Sequence, residues 1–254
     1  MKRYLLELSF CGRNYKGSQR QKDVPSVQKT VEDALSKIYS SPILLRMASR
    51  LDAGVSARQF FCTFDAEENL LPAKLVYVLN NALADTEIAV RSAKIVPDAF
   101  DCRRDAYMKE YSYTVNLGEK EPLKDFLAWK PQYQKADGEK MAEAMALFSG
   151  KHDFSAFVKT DDKDFFPYQE IEKIEAVRDG NYLTFHIYGH AFGRHQIRMM
   201  VGAAYLYSIG QIGLDAITSR LEGKNKEVFP YAAPGKGLVL EKISYDKGTK
   251  VYKC

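Results

Sequence analysis

The sequence predicts an α+β fold with largely antiparallel sheets, and three observations predict it. Strand-like segments follow one another as hairpins as well as alternating with helices. About halfway along the chain the same kinds of element start again, without a strong sequence repeat. The composition, 46% apolar and 28% charged over 254 residues, is that of an ordinary globular chain with material for one large domain or two small ones. The expected division is 1–105 and 106–254, with the possibility open that strands from both halves join one sheet.

The elements follow from local pattern. Residues 4–10, YLLELSF, alternate in part and predict a first strand. A loop containing Gly and Gln, CGRNYKGSQRQKD, comes next. Pro25-Ser26 opens a helix in which Val27, Val31, Ala34, Leu35 and Ile38 recur at helical spacing, with Ser26 as its cap. Residues 60–65 and 87–96 predict strands, with a short helix near Ala73–Leu83. The second half begins with a strand at 107–117, YMKEYSYTVNL, and a loop-rich stretch at 118–135 holding Pro122, Pro131 and the single Trp129. Asp137 is placed to cap a helix carrying Met141, Met145, Leu147 and Phe148, closed by Gly150. YLTFHIYG at 182–189 predicts a strand. A helix is expected from Phe192 to Ile209, with Ile197, Met200, Val201 and Ala204 on one face, and GLVLEKISY at 237–245 is the last strand.

Several classes are disfavoured. There is no run of eighteen apolar residues, so no membrane span is expected. The start, MKRYLLELSF, is interrupted by Glu7 and reads as a strand, not a signal peptide. Cys11, Cys62, Cys102 and Cys254 are widely spaced, with no C-x-x-C and no nearby His pair, so neither a zinc site nor a disulfide framework is expected, and a reducing, cytoplasmic setting fits. The net charge of +4 says little by itself; the placement of the arginines says more, because phosphate contacts need clustered cations.

Three stretches concentrate chemistry. In Met47–Arg58, Asp52 stands between Arg50 and Arg58 and is followed by small residues, a loop in which a carboxylate is held without a bulky neighbour; taken alone, Asp52-Ala53-Gly54 reads more readily as an ordinary turn with solvated arginines beside it. In Phe100–Tyr113, the basic residues Arg103, Arg104 and Lys109 interleave with aromatics, the combination that neutralises phosphate and offers flat surfaces to bases. On a strand Tyr107, Lys109, Tyr111 and Tyr113 share one face, and a half-buried strand packing its tyrosines on a core explains them as well. In Gly189–Gly202, Arg194 and Arg198 are expected one turn apart, and Arg198 lies among Ile197, Met199, Met200 and Val201, where a cation is costly unless it is paired or reaches water. His152-Asp153 has the form of an acid–base pair, with a structural contact the simpler reading, and His195 lies beside two arginines.

Together these stretches resemble the tRNA pseudouridine synthase A family. The family pattern G-R-T-D-A-G-V-H-A is met by Ser49-Arg50-Leu51-Asp52-Ala53-Gly54-Val55-Ser56-Ala57, and F-x-A-R-x-x-A-x-x-x-x-Y-x-Y by Phe100, Arg103, Ala106, Tyr111 and Tyr113. G-N-x-F-L-x-x-M-V-R-x-x-V-G is met by Gly189, Phe192, Arg198, Val201 and Gly202. Gly17, Gln19 and Gln21, then Gly150-Lys151-His152-Asp153-Phe154, then Ala233-Pro234-Gly235-Lys236-Gly237-Leu238 complete the series, in order from about residue 4 to residue 245. Leu51 stands where the family usually has Thr, Ser56 where it has His, and Ser18 where it has Trp, and Lys159–Asp164 is an acidic segment.

The resemblance implies two similar α/β halves with largely antiparallel sheets around a central cleft, the pseudouridine synthase fold. It implies isomerisation of uridine to pseudouridine in tRNA, in the anticodon stem-loop, by a homodimer that needs no cofactor and no metal. Asp52, Tyr111, Arg198 and Arg50 would then be catalytic, with Asp52 starting the reaction, Tyr111 stacking on the uracil or moving its C5 proton, Arg198 pairing with Asp52, and Arg50 filling the space of the flipped base or holding a phosphate. Arg58, Arg103, Arg104, Lys109, Arg194 and His195 would bind the RNA. The alternative is a catalytically silent RNA-binding protein of the same fold.

Overall fold

The computed structural model describes residues 1–67, 70–131, 136–159 and 166–245. In chain order the elements are β1 (Lys2–Phe10), α1 (Val27–Tyr39), β2 (Arg46–Met47), β3 (Ser56–Ala66), α2 (Pro72–Ala82), β4 (Ile88–Val96), β5 (Met108–Asn116), α3 (Gly138–Ala146), β6 (Gly150–Asp153), β7 (Tyr168–Asp179), β8 (Tyr182–Gly189), α4 (Gln196–Ser208), α5 (Asp215–Leu221) and β9 (Leu238–Ser244). The chain forms two compact units, Met1–Tyr107 together with the segment from Leu240, and Met108–Val239. No helix among the described residues is long and apolar enough to cross a membrane.

In the first unit β1 runs antiparallel to both β3 and β4, β2 is a short addition to β3, and β9 lies beyond β3. Period-2 alternation turns Tyr4, Leu6 and Leu8 of β1 to one face with Phe60, Cys62 and Phe64 of β3, all of them buried. Val27, Val31 and Leu35 of α1 and Leu75 and Leu79 of α2 are fully buried as well. Each such side chain contributes roughly 1.5–3 kcal/mol on leaving water. Tyr4 stacks on Phe64 at 5.1 Å, and Tyr39 of α1 meets Phe64 edge-on at 5.8 Å. The predicted cap is present: the Ser26 hydroxyl accepts from Lys29 N at 3.3 Å.

The second unit is an antiparallel sheet in the order β5-β8-β7-β6. Tyr111, Tyr113 and Val115 of β5 pair across from Ile187, Phe185 and Leu183 of β8, and all six are buried. α3 and α4 pack against each other, burying Met141, Ala144 and Met145 and, on α4, Met200, Val201 and Ala204. Asp137 caps α3 by accepting from Glu139 N and Lys140 N. The loop after β5 is tied by a buried carboxylate: Asp125 accepts from Asn116 Nδ2 at 2.7 Å, Glu121 N at 2.9 Å and the Tyr182 hydroxyl at 3.0 Å.

The α+β, antiparallel expectation matches the structure, and several local expectations change: α3 ends at Ala146, short of Leu147 and Phe148, and Gly150 opens β6, a strand not among those predicted, instead of closing the helix. α4 begins at Gln196, four residues later than expected, because His195 takes a left-handed conformation (φ 65°) that the helix cannot extend through. The twelve-residue β7 is not among the predicted strands. Its sequence, YQEIEKIEAVRD, buries only Ile171, since β6 pairs with just its first four residues and leaves the rest at an edge, where charge is tolerated. α5 was not expected either. Of the acidic segment Lys159–Asp164, all but Lys159 lies outside the described residues.

Candidate active site

The Asp52 loop belongs to the first unit. The chain pairs with β3 through Arg46 and Met47, Ala48 N still donates to Phe61 O at 2.9 Å, and the strand then leaves the sheet. Leu51 and Val55 are buried at 8% and 2% exposure and anchor the loop on either side of Asp52, which is itself half-buried. Val55 N closes a turn on Asp52 O at 3.2 Å, and Gly54 takes φ +79°, a region costly for a residue with a Cβ. The apolar anchors set the position of the loop, and the polar residue is left at the rim.

The segment before α1 braces this loop. Ser18 N donates to Leu51 O at 3.0 Å, and Leu51 N donates to Ser18 Oγ at 2.8 Å. Gly54 N donates to Tyr15 O at 3.3 Å and Gly12 N to Ser56 Oγ at 3.0 Å. The brace is itself anchored by Glu32 of α1, 1% exposed, which pairs with Arg20 and accepts from Leu45 N at 2.8 Å.

The predicted cations of this unit differ in their engagement. Arg50 and Arg103 are both exposed. Arg58 is ion-paired to Glu241 at 2.9 Å, and Arg104 to Asp105 at 3.1 Å. Arg103 and Arg104 belong to a turn made by Asp101, whose Oδ1 accepts from both of their backbone N–H groups at 2.9 Å. Those bonds, Arg104 first, hold the Asp101 carboxyl below its usual range.

The second unit carries Lys109, Tyr111, Arg194, His195 and Arg198. Lys109, Tyr111 and Tyr113 share a face of β5, as their spacing predicts, while Tyr107, expected with them, precedes the strand. Tyr111 is 4% exposed and meets Phe192 edge-on at 5.2 Å, while Lys109 opens the strand half-buried. Arg198 sits at the partly exposed edge of a helix whose neighbouring residues Ile197, Met199, Met200 and Val201 are buried. Its Nε donates to Ala233 O at 2.7 Å, and Ala233 N donates back to Arg198 O at 2.8 Å. Gly202, one turn on, permits that approach: a Cβ there would lie 2.6 Å from Tyr231 O. Tyr113 adds a second tie, its hydroxyl donating to Pro234 O at 2.7 Å. Burial pushes the Tyr113 hydroxyl well above its usual range although the Arg198 charge pulls the other way. The Ala233-Pro234 motif therefore serves to fix the guanidinium plane of Arg198.

Arg194 lies before α4, so the expected one-turn relation to Arg198 does not hold. It is exposed, and His195 is half-buried at the helix entrance. His152 is structural: its Nε2 contacts Ser149 O at 2.9 Å, while Asp153 accepts from Ser155 N at 2.8 Å. Among the described residues no group of three His, Cys, Asp or Glu side chains could hold a metal ion.

The sequence has counterparts among known proteins. The family described as tRNA pseudouridine synthase matches residues 144–246. A tRNA pseudouridine synthase A of Clostridium kluyveri is 32% identical over 247 residues, covering 96% of this chain and all of that protein. The chain belongs to the tRNA pseudouridine synthase A family. A member from Methylacidiphilum infernorum is 34% identical over 95% of each chain, and one from Erythrobacter litoralis 32% identical over 97% of this chain and all of its own. Against the family pattern, Ser18 and Ser56 are the departures whose side chains the structure puts to use, since both hydroxyls bond backbone around Asp52. Their role went unread in the sequence; a small hydroxyl residue where the pattern has a large ring was the available signal.

Proposed function

We propose that the protein isomerises uridine to pseudouridine in tRNA, with the target in the anticodon stem-loop. The observation that carries this reading is the match to named tRNA pseudouridine synthases over nearly the whole of both chains. The reaction breaks the uridine N1–C1′ bond, turns the base and rejoins it through C5. Asp52 is the reactive carboxylate, acting on the nucleoside directly or by promoting bond cleavage. Its support is a loop that holds it between buried anchors and leaves it open to an extruded nucleotide. Tyr111 offers an aromatic face to the uracil or moves the C5 proton, and Arg198 supplies positive charge from a fixed guanidinium. Arg50 holds the space left by the base or a nearby phosphate.

Arg58, Arg103, Arg104, Lys109, Arg194 and His195 bind the RNA backbone in this reading. Arg58 and Arg104 are engaged by the partly buried Glu241 and Asp105, but both arginines are exposed, and a pair at the surface contributes only about 0–1 kcal/mol. A phosphate displaces such a carboxylate at little cost. We read the protein as a cytoplasmic homodimer. The family resemblance supports the dimer, and the free thiols of Cys11, Cys62 and Cys102 fit a reducing compartment.

Asp52→Asn tests the assignment. It keeps the shape and removes the nucleophile and the charge, so isomerisation of a tRNA transcript is abolished while binding persists or tightens. Substantial turnover by this variant refutes the role of Asp52. Loss of binding to tRNA in the wild-type protein refutes the substrate.

A further inference from the structure

We infer that Ser18 is a positioning residue for Asp52, an acceptor that sets the peptide leading into the reactive carboxylate. The inference rests on the reading of Asp52 given above. Ser18 is 1% exposed and makes three contacts with the loop. Its backbone N donates to Leu51 O at 3.0 Å, its hydroxyl accepts from Leu51 N at 2.8 Å, and the same hydroxyl reaches Ser49 O at a long 3.4 Å. Both backbone groups of Leu51 are thus held by one residue. The Leu51 carbonyl belongs to the peptide bond that carries Asp52, so Ser18 fixes the plane from which the carboxylate projects.

The short bond matters most. Leu51 is only 8% exposed, so its N–H has little access to water and depends on the Ser18 oxygen. An indole has no lone pair to offer in its place, which makes serine functionally distinct from the Trp usual at this position. On the far side of Asp52 the Ser56 hydroxyl plays the matching part, accepting from Gly12 N at 3.0 Å. Two hydroxyls, at two of the positions where this chain departs from the family pattern, therefore tie the entry and exit of one loop to the same 12–18 segment. The stretch from Asp52 to Gly54 is left to the turn between them.

The test uses the full chain with Ser18→Ala and Ser18→Cys, and Asp52→Asn as reference. Single-turnover isomerisation at saturating tRNA transcript, tRNA affinity and hydrogen exchange at the Leu51 amide are measured in each. Ser18→Ala removes the acceptor, so the rate falls about 10- to 100-fold, as expected for a reacting group displaced by about an ångström. Affinity for tRNA stays unchanged, and protection of the Leu51 amide is lost. Cysteine keeps a side chain at the position, somewhat larger than that of serine, but is a weak acceptor, so Ser18→Cys follows alanine in rate and exchange. A cysteine variant with full rate overturns the inference, because packing and not the hydrogen bond would then be what counts. A folded Ser18→Ala with the wild-type rate also overturns it, while an inactive Asp52→Asn leaves the reading of Asp52 standing. An active Asp52→Asn overturns that reading itself. Should Ser18→Ala fail to fold, the rate of Ser18→Cys decides the matter alone.

Discussion

Tyr113→Phe isolates the tie between β5 and the segment that clasps Arg198. The substitution keeps a fully buried ring and deletes one hydroxyl, whose 2.7 Å bond to Pro234 O is the contact at stake. Losing a buried hydrogen bond costs up to about 3 kcal/mol when the abandoned partner stays dry, and about 1 kcal/mol when water replaces it. Pro234 is exposed, so water reaches its carbonyl and the lower figure applies. For a chain of 254 residues, 1 kcal/mol lowers Tm by about 2–4 °C. Ala233 keeps both of its bonds to Arg198, so the rate falls only slightly. The pH–rate profile does not move, because burial pushes the Tyr113 hydroxyl well above its usual range and it does not titrate between pH 5 and 9 in the wild-type protein. Thermal melts and single-turnover rates across that range check both statements. A shift in the profile would mean that Tyr113 moves a proton itself, and an unchanged Tm would mean that the bond to Pro234 contributes nothing.

Arg198→Met keeps the helix surface apolar and removes the cation with its bond to Ala233 O. A charged contact from the guanidinium to the reacting nucleoside is worth about 1.5–3 kcal/mol, so its loss lowers the isomerisation rate roughly 10- to 150-fold in single-turnover assays; a surface arginine reaching into water would leave the rate unchanged. Affinity for tRNA falls steeply with salt, by a slope of about −0.9 per neutralised duplex phosphate, and a flat titration would favour a small-molecule substrate. Asp125→Asn removes a pH-dependent part of the stability of the second unit. Burial raises the Asp125 carboxyl, but the donors Asn116, Glu121 N and Tyr182 outweigh it, and the folded-state pKa lies below the ordinary value. The stabilisation is therefore complete above the unfolded pKa of about 3.9 and is lost as pH falls through the folded pKa. Urea melts from pH 3 to 7 give a steeper acid loss in the wild type than in the variant.

The sequence carried the parts of the structure that depend on one residue and its near neighbours. Helical spacing gave α1 and its Ser26 cap, and strand alternation gave the shared face of Lys109, Tyr111 and Tyr113. It failed where tertiary context overrode local pattern. The stretch from Phe192 reads as helix, yet a left-handed His195 postpones α4 to Gln196 and removes Arg194 from the helix. β7 escaped notice because an edge strand needs little apolar alternation, and its charges resemble those of a loop.

The candidate site shows the same division in sharper form. Asp52, Tyr111 and Arg198 are legible because a carboxylate, an aromatic ring and a cation announce their chemistry by type. What holds them is not legible, because it consists of backbone groups bound by residues of no distinctive type. Glu32 reads as a charge on the wrong face of α1 until its partners, Arg20 and Leu45 N, arrive from loops 12 and 13 residues away. Ala233 has no side-chain chemistry at all, and it fixes Arg198 through a carbonyl and an amide. The close approach is permitted from the side of α4: a Cβ on Gly202 would lie 2.6 Å from Tyr231 O, so a glycine there lets the segment that ends in Ala233 reach the helix. Ser18 and Ser56 follow the same logic around Asp52. The reacting residues set which chemistry is possible, and the small residues facing them set how closely the peptide groups that position them can approach.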